Sequence, residues 1–420
     1  MEFSQAWAGI QDESDALKSF RQKFLLPQHE SSDCIYFTGN SLGLQPKSTA
    51  ASIQQELNDW ATYGVEGHFL AKNPWVSYHE IFADGTAKLV GAKPEEVVVM
   101  NQLTSNLHFL LVSFYRPTSK RYKIICEAKA FPSDQYALQS QIKFHGYEIR
   151  DTLIELYPRE GEHNLRTEDV LKAIEENKNE LALVMIGGVN YLTGQVFEME
   201  KITQVAHQAG ATCGWDLAHA VGNIALKLHD WEVDFACWCS YKYLNSGPGS
   251  VAGAFVHEKH LSNLELPLFA GWWGHDKTER FKMEKEFRPI KTAERWQVSN
   301  APVLSMAAYK ASLELFIEAG IDRLQQKSKT LTAYLEFVIT EINKPQPEEL
   351  KFEIITPSEA RGCQLSVIAH GRGKELYNQL IRHGVIVDWR EPNVIRMAPV
   401  PLYNSYQDVF RFGKILQSII

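Results

Sequence analysis

The chain has 420 residues, 45% hydrophobic and 22% charged, proportions that exclude disordered, collagen-like and coiled-coil classes. Lys and Arg total 43 against 51 Asp and Glu, a net charge of −8 with no basic cluster, so a nucleic-acid groove is disfavoured. At roughly 100–200 residues per domain, two or three structural units are expected.

The longest apolar runs, at residues 181–186 and 233–239, fall far short of the roughly 18 residues needed to cross a bilayer. The opening Met1-Glu2-Phe3-Ser4-Gln5 lacks the basic start and apolar stretch of a secretory signal, so a cytoplasmic chain with no membrane partner is expected. Its cysteines (Cys34, Cys126, Cys213, Cys237, Cys239, Cys363) are scattered in apolar runs and read as reduced core thiols.

Residues 1–50 read as an N-terminal segment lying on two domains: a large one over 51–300, and connecting helices with a small C-terminal domain over 301–420. In the large domain, strand patterns at 96–100, 123–127, 181–186, 211–215, 233–239 and 251–257 alternate with helical ones at 105–114, 134–143, 167–177 and 199–209. Such alternation predicts an α/β fold with βαβ units and a mostly parallel sheet. Thr167, followed by Glu168 and Asp169, is the predicted N-cap of its helix. Helices are predicted over 304–318 and 321–342, before Asn343-Lys344-Pro345-Gln346-Pro347, and the hinge between domains is placed in this stretch. A strand at 364–369, a helix at 374–383, strands at 385–388 and 394–397 and a helix at 406–418 predict a small α/β domain.

The P-loop, His-Glu-x-x-His and EF-hand signatures are missing. Cys237-Trp238-Cys239 has no second Cys pair or His-x-x-x-His, so no metal site is expected. Gly39-Asn40-Ser41-Leu42-Gly43 fits the Gly-x-Ser-x-Gly elbow of α/β-hydrolases. It comes before any sheet could have formed and Pro46 follows closely, so a substrate loop or plain turn is expected.

The informative residues are Asp216 and Lys242, each at the C-terminal edge of a predicted strand, where open α/β sheets bind ligands. A desolvated Asp216 needs a cationic partner, and a pyridinium nitrogen is one. Lys242 precedes Asn245-Ser246-Gly247-Pro248-Gly249, and a lysine in such surroundings can form a Schiff base. Singly, Asp216 also suits a helix N-cap and Lys242 a surface lysine. Jointly they suit a pyridoxal-phosphate enzyme of the aspartate-aminotransferase fold. Thr104 and Ser105 open a helix that could hold a phosphate, or cap it in the ordinary way. Phe131-Pro132-Ser133-Asp134 offers an aromatic face with polar groups beside it, or a turn with a core Phe. Arg396 sits amid apolar residues, suited to a carboxylate fork or to a structural ion pair.

These residues stand in longer segments: Tyr36-Phe37-Thr38-Gly39-Asn40-Ser41-Leu42-Gly43-Leu44, Glu127-Ala128-Lys129-Ala130-Phe131-Pro132-Ser133-Asp134, Asp216-Leu217-Ala218-His219-Ala220-Val221-Gly222-Asn223, Ser240-Tyr241-Lys242-Tyr243-Leu244-Asn245, Gly271-Trp272-Trp273-Gly274-His275 and Arg396-Met397-Ala398-Pro399. Over nearly its whole length the chain resembles the kynureninase family, pyridoxal-phosphate hydrolases of tryptophan catabolism. The resemblance implies cleavage of L-kynurenine, 3-hydroxy-L-kynurenine or both to an anthranilate and L-alanine, in a pathway that degrades tryptophan or feeds NAD synthesis. It implies that Lys242 carries pyridoxal 5'-phosphate, that Asp216 pairs with its ring nitrogen, and that His219 lies beside it. Phe131 would stack on the ring, with Pro132, Ser133 and Asp134 next to it. Leu103, Thr104 and Tyr241 would hold the phosphate and pocket edges, together with Trp272 and Asn300 from the neighbouring subunit of a homodimer with shared active sites. Arg396 would bind the substrate carboxylate, and Ser41, His68 and Asn300 would line its aryl end. Tyr241 would relay protons. One departure stands out: the family often has a hydroxyl residue before Gly-Val, whereas this chain reads Ile186-Gly187-Gly188-Val189. The resemblance implies that this departure removes one polar contact to the cofactor and bears on its affinity more than on activity.

Overall fold

A computed structural model describes residues 1–420. Its centre is a seven-stranded sheet of β1 (Val97–Val99), β2 (Lys123–Glu127), β3 (Leu153–Leu156), β4 (Leu181–Gly187), β5 (Thr212–Asp216), β6 (Phe235–Trp238) and β7 (Gly253–Val256), in the order β1-β7-β6-β5-β4-β2-β3. These strands are runs of Val, Ile, Leu and Cys because apolar layers cover both faces, as a parallel sheet requires. Alternate residues of β6 divide between them: Ala236 and Trp238 join the core on one face, Phe235 and Cys237 that on the other.

Strand β7 corrects the sequence reading. It runs antiparallel to β6 and to β1, because residues 239–252 form a loop with no crossover helix, and the chain returns beside the strand it has just left. Strand β3 was not predicted from the sequence; it is an edge strand, partly exposed, with a weak apolar signal. The helix at Thr167–Asn177 begins with Thr167 itself, and the N-cap is Arg166, which makes no side-chain capping bond. The acid of its first turn, Asp169, instead takes a two-pronged bond from Arg159 at 2.7 and 2.7 Å.

The small domain holds an antiparallel sheet of β8 (Phe352–Ile354), β9 (Leu365–Ala369), β10 (Asp388–Arg390) and β11 (Val394–Met397), ordered β8-β9-β11-β10. The strand predicted over 385–388 is divided. Val385–Ile386 pairs in parallel with Ile35–Tyr36 of the N-terminal segment, and only Asp388 onward joins the sheet. The closing helix, Tyr406–Ile419, starts at a capping box in which Ser405 Oγ accepts from the Asp408 N–H and Asp408 Oδ2 from the Ser405 N–H, each at 3.1 Å.

The N-terminal segment touches both bodies. Asp12 accepts from the N–H groups of Tyr406 and Gln407 at 2.7 and 3.0 Å, placing a carboxylate at the positive end of the closing helix. Ile35 and Phe37 belong to the small-domain core, whereas Leu17, Phe20 and Phe24 belong to the large one. Gly39–Gly43 is a turn followed by extended chain, with no helix after Ser41, so a nucleophile elbow is ruled out. All six cysteines are buried free thiols, and no helix is long and apolar enough to cross a membrane.

Candidate active site

Strands β5 and β6 are parallel neighbours with Asp216 opposite Cys237, so their C-terminal ends open on the same edge. Beyond β5 the chain turns, with Asp216 Oδ1 accepting from the Ala218 N–H at 2.7 Å, and presents His219. Beyond β6, Ser240 Oγ bonds to the Val251 carbonyl and accepts from Ser246 Oγ, folding the loop back on itself. Asn245 takes the left-handed conformation here (φ 53°), which asparagine tolerates better than most residues. The loop carries Lys242 onto His219, with Nζ 3.0 Å from Nε2.

The other strand ends complete the cleft. Glu127 ends β2 and Gly187 ends β4, while Ser133 and Asp134 open the helix Pro132–Phe144 and Leu103 and Thr104 open the helix Leu103–Phe114. With Phe131, Val189, Tyr191, Ala218 and Tyr241 they line the cleft around Lys242. Lys242 Nζ lies 5.7 Å from the centre of the Phe131 ring, and Tyr191 meets that ring edge-on at 5.5 Å. Arg396, on β11, approaches from the small domain: its Nη1 donates to the Tyr191 carbonyl at 2.5 Å, and it pairs with Asp388.

Electrostatics are set by burial. Asp134 and Asp216 lie side by side, and burial followed by the charge of Asp216 pushes the Asp134 carboxyl well up. Burial also raises Asp216, against the pull of the Ala218 N–H and the Lys242 charge. Of the two, Asp216 is the one whose anion is better supported, by the Ala218 N–H and the Lys242 charge. Burial and the Lys242 charge hold His219 well below the ordinary imidazole range, so its ring is neutral. Burial raises the Tyr241 phenol, and Glu127 is pushed up to about 8 by burial and by the Asp216 charge, against the Gly187 N–H.

Two buried atoms here have no hydrogen-bond partner, Asp134 Oδ1 and His219 Nδ1, and Arg396 Nε is likewise free. Buried polar atoms are ordinarily satisfied. An anionic carboxylate, a lysine amine and an aromatic face around such atoms are a donor set that fits a pyridine ring with a protonated nitrogen and an aldehyde carbon.

Of the residues singled out in the sequence, Lys242, Asp216, His219, Tyr241, Phe131, Ser133, Asp134, Leu103 and Thr104 line this cleft. Pro132 adjoins it as the first residue of its helix. Ser41 stands two residues before Gly43, whose N–H donates to the Tyr241 carbonyl at 2.8 Å. Ser41, His68, Trp272, Asn300 and Arg396 are not among the lining residues, Arg396 meeting the cleft only through the Tyr191 carbonyl. His68 meets Trp75 edge-on, Trp272 borders a separate groove, and Asn300 is exposed. Sequence reasoning missed Glu127 and Tyr191, and noted Gly187 only as a departure from the family pattern. Glu127 carried a signal, an acid closing an apolar predicted strand; Tyr191 carried none, because it reaches the cleft from a loop.

The aminotransferase class-V family model matches residues 35–358, and the kynureninase C-terminal domain model matches residues 324–416. A kynureninase of Flavobacterium psychrophilum is 60% identical over 97% of this chain and 96% of its own length. One of Nematostella vectensis is 48% identical over 99% and 94%. Among solved structures, a cysteine desulfurase from Thermococcus onnurineus superposes with a TM-score of 0.79 at 18% identity, covering 96% of this chain and 98% of its own. The cystine C–S lyase C-DES does so at 0.75 and 16%, covering 92% and 98%. At such identities these two show the fold alone. The relatives, alike in sequence along almost their whole length, decide the family: the chain belongs to the kynureninases, which are pyridoxal-phosphate enzymes with the class-V aminotransferase fold.

Proposed function

We propose that this chain hydrolyses the Cβ–Cγ bond of L-kynurenine, 3-hydroxy-L-kynurenine or both, releasing the corresponding anthranilate and L-alanine, in the cleft around Lys242. The observation that carries this reading is the meeting of Lys242, neutral His219 and the Asp134–Asp216 pair on one edge of the sheet of a kynureninase-family chain. Leu103 and Thr104 hold the cofactor phosphate at the N-terminus of a helix whose Gln102 cap makes no side-chain bond, leaving N–H groups for an anion. Phe131, with Pro132 and Ser133 beside it, would cover the cofactor ring, and the Asp216 carboxylate would pair with its ring nitrogen. Pyridoxal phosphate supplies an electron sink for the pair left when the substrate loses its α-proton.

Lys242 would anchor the cofactor, and its free amine would take the substrate α-proton. His219, neutral and 3.0 Å away, adds no competing positive charge and orients the lysine amine. The Arg396 guanidinium binds the substrate α-carboxylate with its free Nε, Asp388 and the Tyr191 carbonyl fixing its plane. Water adds to the γ-carbonyl, and Tyr241, protonated at neutral pH, returns a proton to the three-carbon fragment as the bond breaks. Ser41, two residues before Gly43, is the residue we place nearest the aryl end; His68, packed on Trp75, does not line the cleft within one chain.

The working form we propose is a homodimer with shared active sites, to which Trp272 and Asn300 of each chain contribute across the interface. Exposed Trp272, Phe281, Met283 and Phe69 support this, since Phe281 lies 5.5 Å from Trp272 and 6.4 Å from Phe69 in an apolar group with no cover within the chain. The buried free thiols support a reducing compartment, the cytoplasm. We divide the chain into an N-terminal segment at 1–50, a large domain at 51–300 and the small domain with its connecting helices at 301–420.

A cysteine desulfurase on the same fold would need a reactive thiol. Cys363 is buried, and burial pushes its pKa up to about 12, which does not suit a nucleophile. The deciding experiment is the visible spectrum of the purified protein followed by addition of each kynurenine. A yellow band with fluorescent anthranilate and alanine release is expected, and a yellow protein inert to both substrates would overturn the assignment.

A further inference from the structure

Beyond β4 the chain shows three consecutive carbonyls to the small domain, and a side chain of that domain meets each one. The Tyr191 carbonyl accepts from Arg396 Nη1 at 2.5 Å and from Gln364 Nε2 at 3.1 Å. That of Leu192 accepts from Gln364 Nε2 at 3.3 Å and from Ser366 Oγ at 2.7 Å, and that of Thr193 from Thr356 Oγ1. Within the loop Asn190 Oδ1 takes the N–H groups of Leu192 and Thr193, each at 3.0 Å, and the carbonyls find their partners outside it. Strand alternation brings the donors together: Ser366 of β9 lies opposite Arg396 of β11, and Gln364, two residues before Ser366, shares its face. Leu365 and Val367 turn the other way, into the small-domain core. Gln364 and Ser366 are 1% and 0% exposed, buried polar side chains beside the guanidinium.

Gln364 reaches a third part of the chain as well. Its Nε2 faces two carbonyl oxygens, so this is the donor end of the amide, and Oε1 is left to accept from Asn40 Nδ2 at 3.0 Å. Asn40 is fully buried and precedes Ser41 in the turn of the N-terminal segment. Resting on the functional reading above, we propose that Gln364 is a positioning residue for the substrate carboxylate: it holds the Tyr191 carbonyl where that carbonyl sets the plane of the Arg396 guanidinium, and ties to it the turn that carries Asn40 and Ser41. Gln364 does not line the cleft, so it acts through Arg396 and not by touching substrate. A carbonyl orients a guanidinium only as firmly as it is itself held. The Tyr191 ring is held edge-on against Phe131, and Gln364 holds the backbone of the same residue from the opposite domain.

The test is the KM for L-kynurenine in wild type, Gln364→Leu, Arg396→Ala and the double variant, with thermal melting to check folding. Leucine fills much of the volume but offers no donor, so Gln364→Leu should raise KM about tenfold and change kcat by about threefold or less. In the Arg396→Ala background the same substitution should raise KM no further, because the group it positions is gone. Kynuramine, the same molecule without its carboxyl group, should inhibit wild type and Gln364→Leu alike. Ser366→Ala removes a single hydroxyl and should raise KM about threefold in the same pattern, which decides the matter if Gln364→Leu does not fold. An unchanged KM in the folded variant, equal factors on the two backgrounds, or an equal loss for kynuramine would overturn the proposal. If wild type cleaves neither kynurenine, the functional reading falls. The proposal is then decided by the dissociation constant of L-alanine, read from the cofactor's visible band, which should rise in Gln364→Leu and no further in the Arg396→Ala background.

Discussion

Lys242 Nζ and His219 Nε2 stand 3.0 Å apart, although 23 residues separate them in sequence and they follow different strands. Burial holds the imidazole neutral, so it accepts from the lysine amine without adding charge beside it. Lys242→Ala should therefore abolish turnover, by at least about a thousandfold, the scale of a lost general base. Anthranilate fluorescence measures it, and a variant turning over at near-normal rate would remove Lys242 from the chemistry.

Asp216→Asn keeps an oxygen for the Ala218 N–H but removes the anion that the cofactor ring requires. Cofactor affinity and rate should fall together, the former by about tenfold or more. Titration with pyridoxal phosphate reads the first and steady-state kinetics the second. A full rate at saturating cofactor would mean that the ring proton is held by another group.

Arg396 is buried, and burial lowers its pKa to about 10, still charged at neutral pH. Arg396→Ala should raise KM for kynurenine by about a hundredfold and change kcat less, since the carboxylate contact is present in ground and transition states alike. Because the change also leaves Asp388 without that partner, the melting temperature should be followed in parallel. An unchanged KM would place the carboxylate elsewhere.

The raised pKa of Glu127 predicts a pH dependence of stability in the cofactor-free protein. Its folded value is about 8 against an ordinary 4.5, so between these the folded state binds the proton that the unfolded chain has lost. The favourable contribution is complete below about 4.5 and is lost as pH rises towards 8. Glu127→Gln has no such proton, and its melting temperature should fall less than that of wild type over this window. Parallel curves for the two proteins would show that the carboxyl is already ionised at neutral pH.

Gly43 lies against the segment that carries the lysine. Its N–H donates to the Tyr241 carbonyl at 2.8 Å, and a Cβ would strike the Lys242 carbonyl and the Asn245 side chain, with the Asn245 Cα at 2.7 Å. Gly43→Ala should displace this loop, lowering kcat by about tenfold or more and stability by about 1–3 kcal/mol, the cost of overpacking. Kinetics and thermal melting measure the two effects, and a variant with wild-type values for both would show that the loop yields freely.

Most of the large sheet was legible in the sequence, because strands covered on both faces announce themselves as apolar runs: β2 was placed to the residue and β4 within one, as β11 was to the residue in the small sheet. The edge strands β3 and β8 were not, since half-exposed strands lack that run. Strand β7 was found, but its direction depends on whether the intervening loop crosses the sheet, which composition does not encode. Asp216 and Lys242 could be read because an ion closing an apolar strand is costly without a partner. The partners themselves came only with the tertiary structure. Nothing in the sequence brings Asp134 against Asp216, or the Arg396 of one domain to the Tyr191 carbonyl of the other. Nor does it tell that the carboxyl of Glu127 accepts from the N–H of Gly187, 60 residues on. Sequence determines which side chains end the strands through local apolar patterning; which of them share a proton is decided by strand order and by the low dielectric that packing creates around them.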